Sequence, residues 1–89
     1  MDKAYLVIEE YNNGKLYDEE YESTEVLHGF PTYNEAKRFI KEMDIPTNWV
    51  DATERFKEAD EEIDFRVFEY HHTEHTSQSI YSIKEIPFG

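Results

Sequence analysis

Two runs of hydrophobic positions, Ala4 through Tyr11 and Leu16 through Val26, are rich in Tyr, Val, Ile and Leu, the residues that favour strands. Between the two runs stands Asn13-Gly14, a dipeptide favoured in two-residue hairpin turns because both residues tolerate positive φ. Centring the turn there sets Ile8 opposite Glu19, Leu6 opposite Tyr21, Glu10 opposite Tyr17 and Ala4 opposite Ser23. One face then carries Ala4, Leu6, Ile8, Tyr17 and Tyr21 and is expected to meet the core. The other carries Tyr5, Val7, Glu9, Tyr11, Leu16, Asp18, Glu20 and Glu22, with Glu9 directly opposite Asp18.

After Phe30 the pattern changes. Thr32 and Glu35 form a T-x-x-E capping box, and Ala36, Phe39, Ile40 and Met43 follow at helical spacing. Asp44-Ile45-Pro46 ends that helix, and Thr47 is placed to cap a second. Its apolar positions are Trp49, Ala52, Phe56, Ala59 and Ile63. Each stripe needs an apolar surface to lie on. Phe65 to Tyr70 then reads as a strand, residues 71–78 as a polar connection, and Ile80, Tyr81, Ile83 and Ile86 as a last strand. The order ββααββ predicts one α+β domain over residues 1–89, with a four-stranded antiparallel sheet and two helices packed on one face.

Gly29-Phe30 at a strand end, followed by Thr32, Glu35 and Ala36, resembles an element of many small bacterial and phage α+β proteins over residues 29–43. The resemblance implies a fold element and a phage or mobile-element origin. It carries over no functional residues.

Composition changes this picture in two ways. Twenty-one acids against nine bases give a net charge of −12. That sign disfavours nucleic acid, whose binding needs Lys and Arg to release counterions, and anionic membranes. It leaves basic protein surfaces, cations or simple solubility. The aromatic fraction of 16% supplies enough large side chains for a core despite the charge. The absence of cysteine removes disulfides, thiolate metal sites and a cysteine nucleophile. The start of the chain has the pattern of neither a signal peptide nor a membrane span, so a cytoplasmic setting is expected.

Two constellations stand out. His71, His72, Glu74 and His75 contain the string H-x-x-E-H, which as a metalloprotease motif needs both His one helical turn apart. On an extended chain His71 and His75 lie ~13 Å apart, so no catalytic role is expected. A metal-binding or pH-responsive loop remains the alternative reading of these four residues. The second constellation is the acidic strand face: Glu9, Asp18, Glu20 and Glu22 with Tyr5 and Tyr11 among them. Like charges facing each other cost stability, which points to a surface kept for binding. The chain therefore reads as a non-enzymatic protein without cofactor. It docks this acidic face on a basic patch of a protein partner, in the manner of a phage-type inhibitor or nucleic-acid mimic. A homodimerising structural subunit is a further alternative.

Overall fold

A computed structural model describes residues 2–16, 19–57, 64–73 and 75–88. The runs rich in Tyr, Val, Ile and Leu contribute to an antiparallel sheet of β1 (Asp2–Leu16), β2 (Glu19–Phe30), β3 (Val50–Asp51), β4 (Arg66–His71) and β5 (Thr76–Phe88). The sheet has five strands, not the four expected, in the order β2-β1-β5-β4-β3. The additional strand is the two-residue β3, too short to leave a periodic signal. Two helices, α1 (Tyr33–Lys41) and α2 (Thr53–Phe56), complete an α+β fold.

Thr32 caps α1 as expected, while the Glu35 carboxylate closes on the Thr32 hydroxyl. The Thr32 hydroxyl oxygen accepts from the Glu35 amide at 3.2 Å and donates to the Glu35 carboxylate at 3.1 Å, which satisfies an otherwise orphaned donor of α1. Ala36 and Ile40 are fully buried and pack on Val7, with Tyr5, Phe30 and Ile83 around them. The core face of β1 is thus the Tyr5–Val7 face, the reverse of the expected one. Tyr5 and Val7 alternate with Leu6 and Ile8, so both faces are apolar and alternation alone does not choose between them. Phe39 lies at the rim, where its ring stacks at 5.8 Å on His28 and packs at 5.4 Å on Phe30.

The second helix also departs from its pattern. Residues 46–49 form a turn, with the Trp49 amide on the Pro46 carbonyl at 3.0 Å and Asn48 in the left-handed region at φ 72°. Val50 and Asp51 then pair with Glu69 and Phe68. The helix that follows has four residues, is preceded by Ala52 rather than capped by Thr47, and leaves Phe56 exposed. Pairing with β4 outweighs the 3-4-3-4 spacing there. Ala59 and Ile63 lie outside the described residues. Of the two described helices, α1 is the one that packs on the central strands β1 and β5. From α2, at the edge of β4, Arg55 pairs with Glu69, whose side chain is on the face opposite α1.

The β1–β2 ribbon is where the expected register fails most. Ile8 pairs with Val26, Glu9 with Glu25, Glu10 with Thr24 and Asn12 with Glu22, and pairing continues to Leu16↔Glu19. Asn13-Gly14 is therefore inside β1, at a bulge between Asn12 and Lys15, and is not a hairpin turn. A second bulge places Leu27 of β2 outside the ladder between the pairs Val7↔His28 and Ile8↔Val26. Asn-Gly suits a bulge for the same reason that it suits a turn: a bulge also asks one residue to leave the extended region.

Candidate binding face

The two bulges decide what the β1–β2 ribbon displays. Directly paired residues project to the same face. Phe30 and His28 face α1 with Tyr5 and Val7. Beyond Leu27 the parity of β2 reverses, so Val26, Thr24 and Glu22 project to the opposite face beside Ile8, Glu10 and Asn12. On β5, Ile80 pairs with Glu10 and Gln78 with Asn12. The result is a block of side chains on the face away from α1, with Thr24, Glu10 and Ile80 in one row and Glu22, Asn12 and Gln78 in the next. They line a cavity of about 200 Å³.

Within this block the Asn12 amide donates to the Glu22 carboxylate at 3.1 Å. Gln78 donates to Glu69 at 3.2 Å, and Arg55 neutralises that buried carboxylate. The Glu10 carboxylate makes no ion pair or side-chain hydrogen bond among the described residues, and Glu10 and Glu22 are both exposed.

The acidic set expected from sequence is split. Tyr5, Glu9 and Tyr11 share the α1 face and are half-buried. Tyr5 packs edge-on against Tyr33 with ring centroids 6.0 Å apart. The Tyr11 hydroxyl donates to Ser77 at 3.4 Å. Glu9 faces Glu25 rather than Asp18, and it accepts from the Tyr81 hydroxyl at 2.6 Å. Burial, then the Glu9 hydrogen bond and charge, pushes the Tyr81 hydroxyl well above the ordinary phenol range. Glu22 is on the opposite face, and Glu20 belongs to β2, its backbone paired with Lys15. Asp18 lies outside the described residues. Glu10 and Glu25 fall outside the expected set because the expected register puts both on the Ala4–Leu6–Ile8 face assigned to the core. Placing Glu22 opposite Asn12 depends on the bulges, which alternation does not reveal.

The histidines separate as well. Between β4 and β5 the His72 amide donates to the His75 carbonyl at 2.8 Å. His71, at the end of β4, lies 3.3 Å from the Thr76 hydroxyl and 3.5 Å from Glu69. His72 contacts the Ser77 hydroxyl at 2.8 Å and stacks on His75 with centroids 4.1 Å apart. Tyr70 extends this stack to Trp49. Glu74 lies outside the described residues. Among those described, no group of three or more His, Cys, Asp or Glu is arranged to hold a metal ion. No described helix is long and apolar enough to cross a membrane.

Comparison with protein families, with curated proteins and with solved structures finds no match.

Proposed function

We propose that this chain is a non-enzymatic binding protein that meets a basic protein surface with the outer part of its β1–β2 ribbon. One observation carries the reading. β2 is the outer strand of the sheet, every residue from Glu22 to Gly29 is exposed, and carboxylates stand on both faces of the ribbon. An outer strand presents unpaired backbone groups to any extended chain that approaches. Glu22 and Glu25, with the net charge of −12, repel a second copy and attract a basic one. This acidic surface differs from the one expected at first: Glu10 and Glu25 join Glu22, while Tyr5 and Tyr11 serve mainly to pack the α1 face.

The test begins with affinity capture, salt elution and identification of the bound protein. Its association is then timed against wild type and a Glu22→Lys, Glu25→Lys double variant. Binding through this edge slows as ionic strength rises, since screening shortens to ~8 Å at physiological salt. The double variant slows it further, by at least about tenfold. A partner that associates with the folded variant at the wild-type rate would reduce the edge charges to a solubility device.

A further inference from the structure

We propose that the cavity between Glu10 and Glu22 receives the guanidinium group of an arginine side chain on the partner protein. This rests on the reading of the chain as a binding protein and gives that reading a specific anchor point.

The lining selects the ligand by elimination. Glu10 and Glu22 are diagonal neighbours on adjacent strands, since Glu10 pairs with Thr24 and Glu22 with Asn12. Diagonal neighbours stand ~7–8 Å apart, which leaves room for a planar cation between two carboxylates. No Lys or Arg is among the described residues that line the cavity, so its described lining is negative and disfavours an anion. Two carboxylates, two amides and a hydroxyl around one isoleucine exclude a purely apolar ligand. A calcium ion takes ~6–8 oxygen ligands at close range, and Asn12 already turns an N–H, not an oxygen, toward Glu22. The Gln78 amide nitrogen is committed to Glu69, so its oxygen remains as an acceptor; among the described residues it accepts nothing.

What fits is a group with several N–H donors in one plane and an apolar stem. Guanidinium carries five such donors and matches carboxylates in a fork. Its methylene chain lies along apolar surface while the head meets the charges, and Ile80 supplies that surface. A lysine ammonium is a compact, strongly hydrated charge and reaches fewer of these acceptors at once. The cavity is open to solvent at Glu10 and Glu22 and adjoins the outer strand, so a side chain enters without displacing any part of the fold.

The test uses the full chain, isotopically labelled for amide NMR, and three probes. These are a capped glycine–serine peptide with one arginine, the same peptide with lysine, and methylguanidinium. The arginine peptide should give saturable shifts confined to the amides around Glu10, Asn12, Glu22 and Gln78, with an affinity at least about fivefold above that of the lysine peptide. Glu10→Gln should lower that affinity by about fivefold or more, whereas Glu25→Gln, on the other face, should leave it within about twofold. Both positions are exposed, and the amide spectrum itself reports that each variant is folded.

Shifts scattered over the acidic surface without saturation, or equal binding of the two peptides, would overturn the assignment. So would methylguanidinium binding as tightly as the arginine peptide, which would make this a small-molecule site. If the arginine peptide fails while the captured partner still responds to salt and to the β2 charge reversals, the anchor falls and the binding reading stands. If both fail, both fall.

Discussion

β3 and β2 flank the same sheet, yet β3 offers two residues at its edge and β2 twelve. Around β3 the edge is closed by polar bracing. Asp51 accepts from the Thr53 amide at 2.9 Å, from the Thr53 hydroxyl and from Arg66 at 3.0 Å. The Thr53 hydroxyl accepts in turn from the Val67 amide at 3.0 Å. Arg66 also donates to the carbonyls of Ile40 and Lys41 at 3.0 and 3.1 Å, which ties the end of α1 to the same point. β2 has no such cover among the described residues. It is guarded by the Leu27 bulge and by glutamates, two devices that keep an open edge from pairing with copies of itself. One edge is therefore protected by structure and the other by charge. Only protection by charge leaves an edge accessible to a partner of the opposite sign.

The closed edge should be the costly one to disturb. Arg66→Ala removes the common donor to two helix carbonyls and Asp51 at a site where the Arg66 side chain is only 13% exposed. It should destabilise by about 2–3 kcal/mol in urea melts, because two helix carbonyls and the Asp51 carboxylate lose their charged donor; a loss below about 1 kcal/mol would mean that β3 is not braced through Arg66. Thr53→Val keeps the shape and removes the hydroxyl, leaving the buried Val67 amide without its acceptor. A loss of about 1–3 kcal/mol is expected by the same measurement.

Acid should weaken the closed edge selectively. Partial burial pushes the Asp51 carboxyl up, but the Thr53 hydrogen bonds and the Arg66 guanidinium outweigh it and hold it below the ordinary range. A carboxyl lowered on folding contributes stability that is present above the unfolded value of ~3.9 and is lost as pH falls through the folded value. Wild type should thus lose its advantage over Asp51→Asn as pH falls below ~4. Parallel stability curves for the two proteins across that range would contradict this. On the open edge, Glu25→Gln should change stability by no more than about 0.5 kcal/mol, and in the stabilising direction, because it relieves the pair with Glu9. A large loss would mean that β2 is braced as firmly as β3.

These contrasts also show what the residue pattern reveals. The first two strand runs and the Thr32 cap announce themselves because residue composition and capping are local. The Phe65–Tyr70 and Ile80–Ile86 strands were legible for the same reason, although β5 begins earlier, at Thr76. β3 was hidden, since two residues carry no period, and Trp49, Ala52 and Phe56 suggested one continuous helix across it. Asn13-Gly14 misplaces the turn, and with it every cross-strand partner, while the inverted core face of β1 hides Glu10. The polar connection expected over residues 71–78 is shorter than that, since His71 ends β4 and Thr76 opens β5. The division between His71 on one side and the stacked His72 and His75 on the other depends on the bond from the His72 amide to the His75 carbonyl.

The bulges of the β1–β2 ribbon work like two teeth skipped in opposite senses on a zipper. Outside them the strands share one register; between them, Ile8–Asn12 against Glu22–Val26 is offset by a single residue. A zipper closed with no skipped tooth would start and finish at the same pairs, Tyr5↔Phe30 and Leu16↔Glu19, without moving either end. It would face Glu10 with Glu25 and set Glu22 against Asn13, and the block of side chains around the cavity would disperse. Charge repulsion does not choose between the two closures, because each sets Glu25 opposite a glutamate. Hydrogen bonding does choose. The Asn12 amide reaches the Glu22 carboxylate because the two are paired in the offset form. That side-chain bond favours the closure that keeps Glu10 and Glu22 together on the open face.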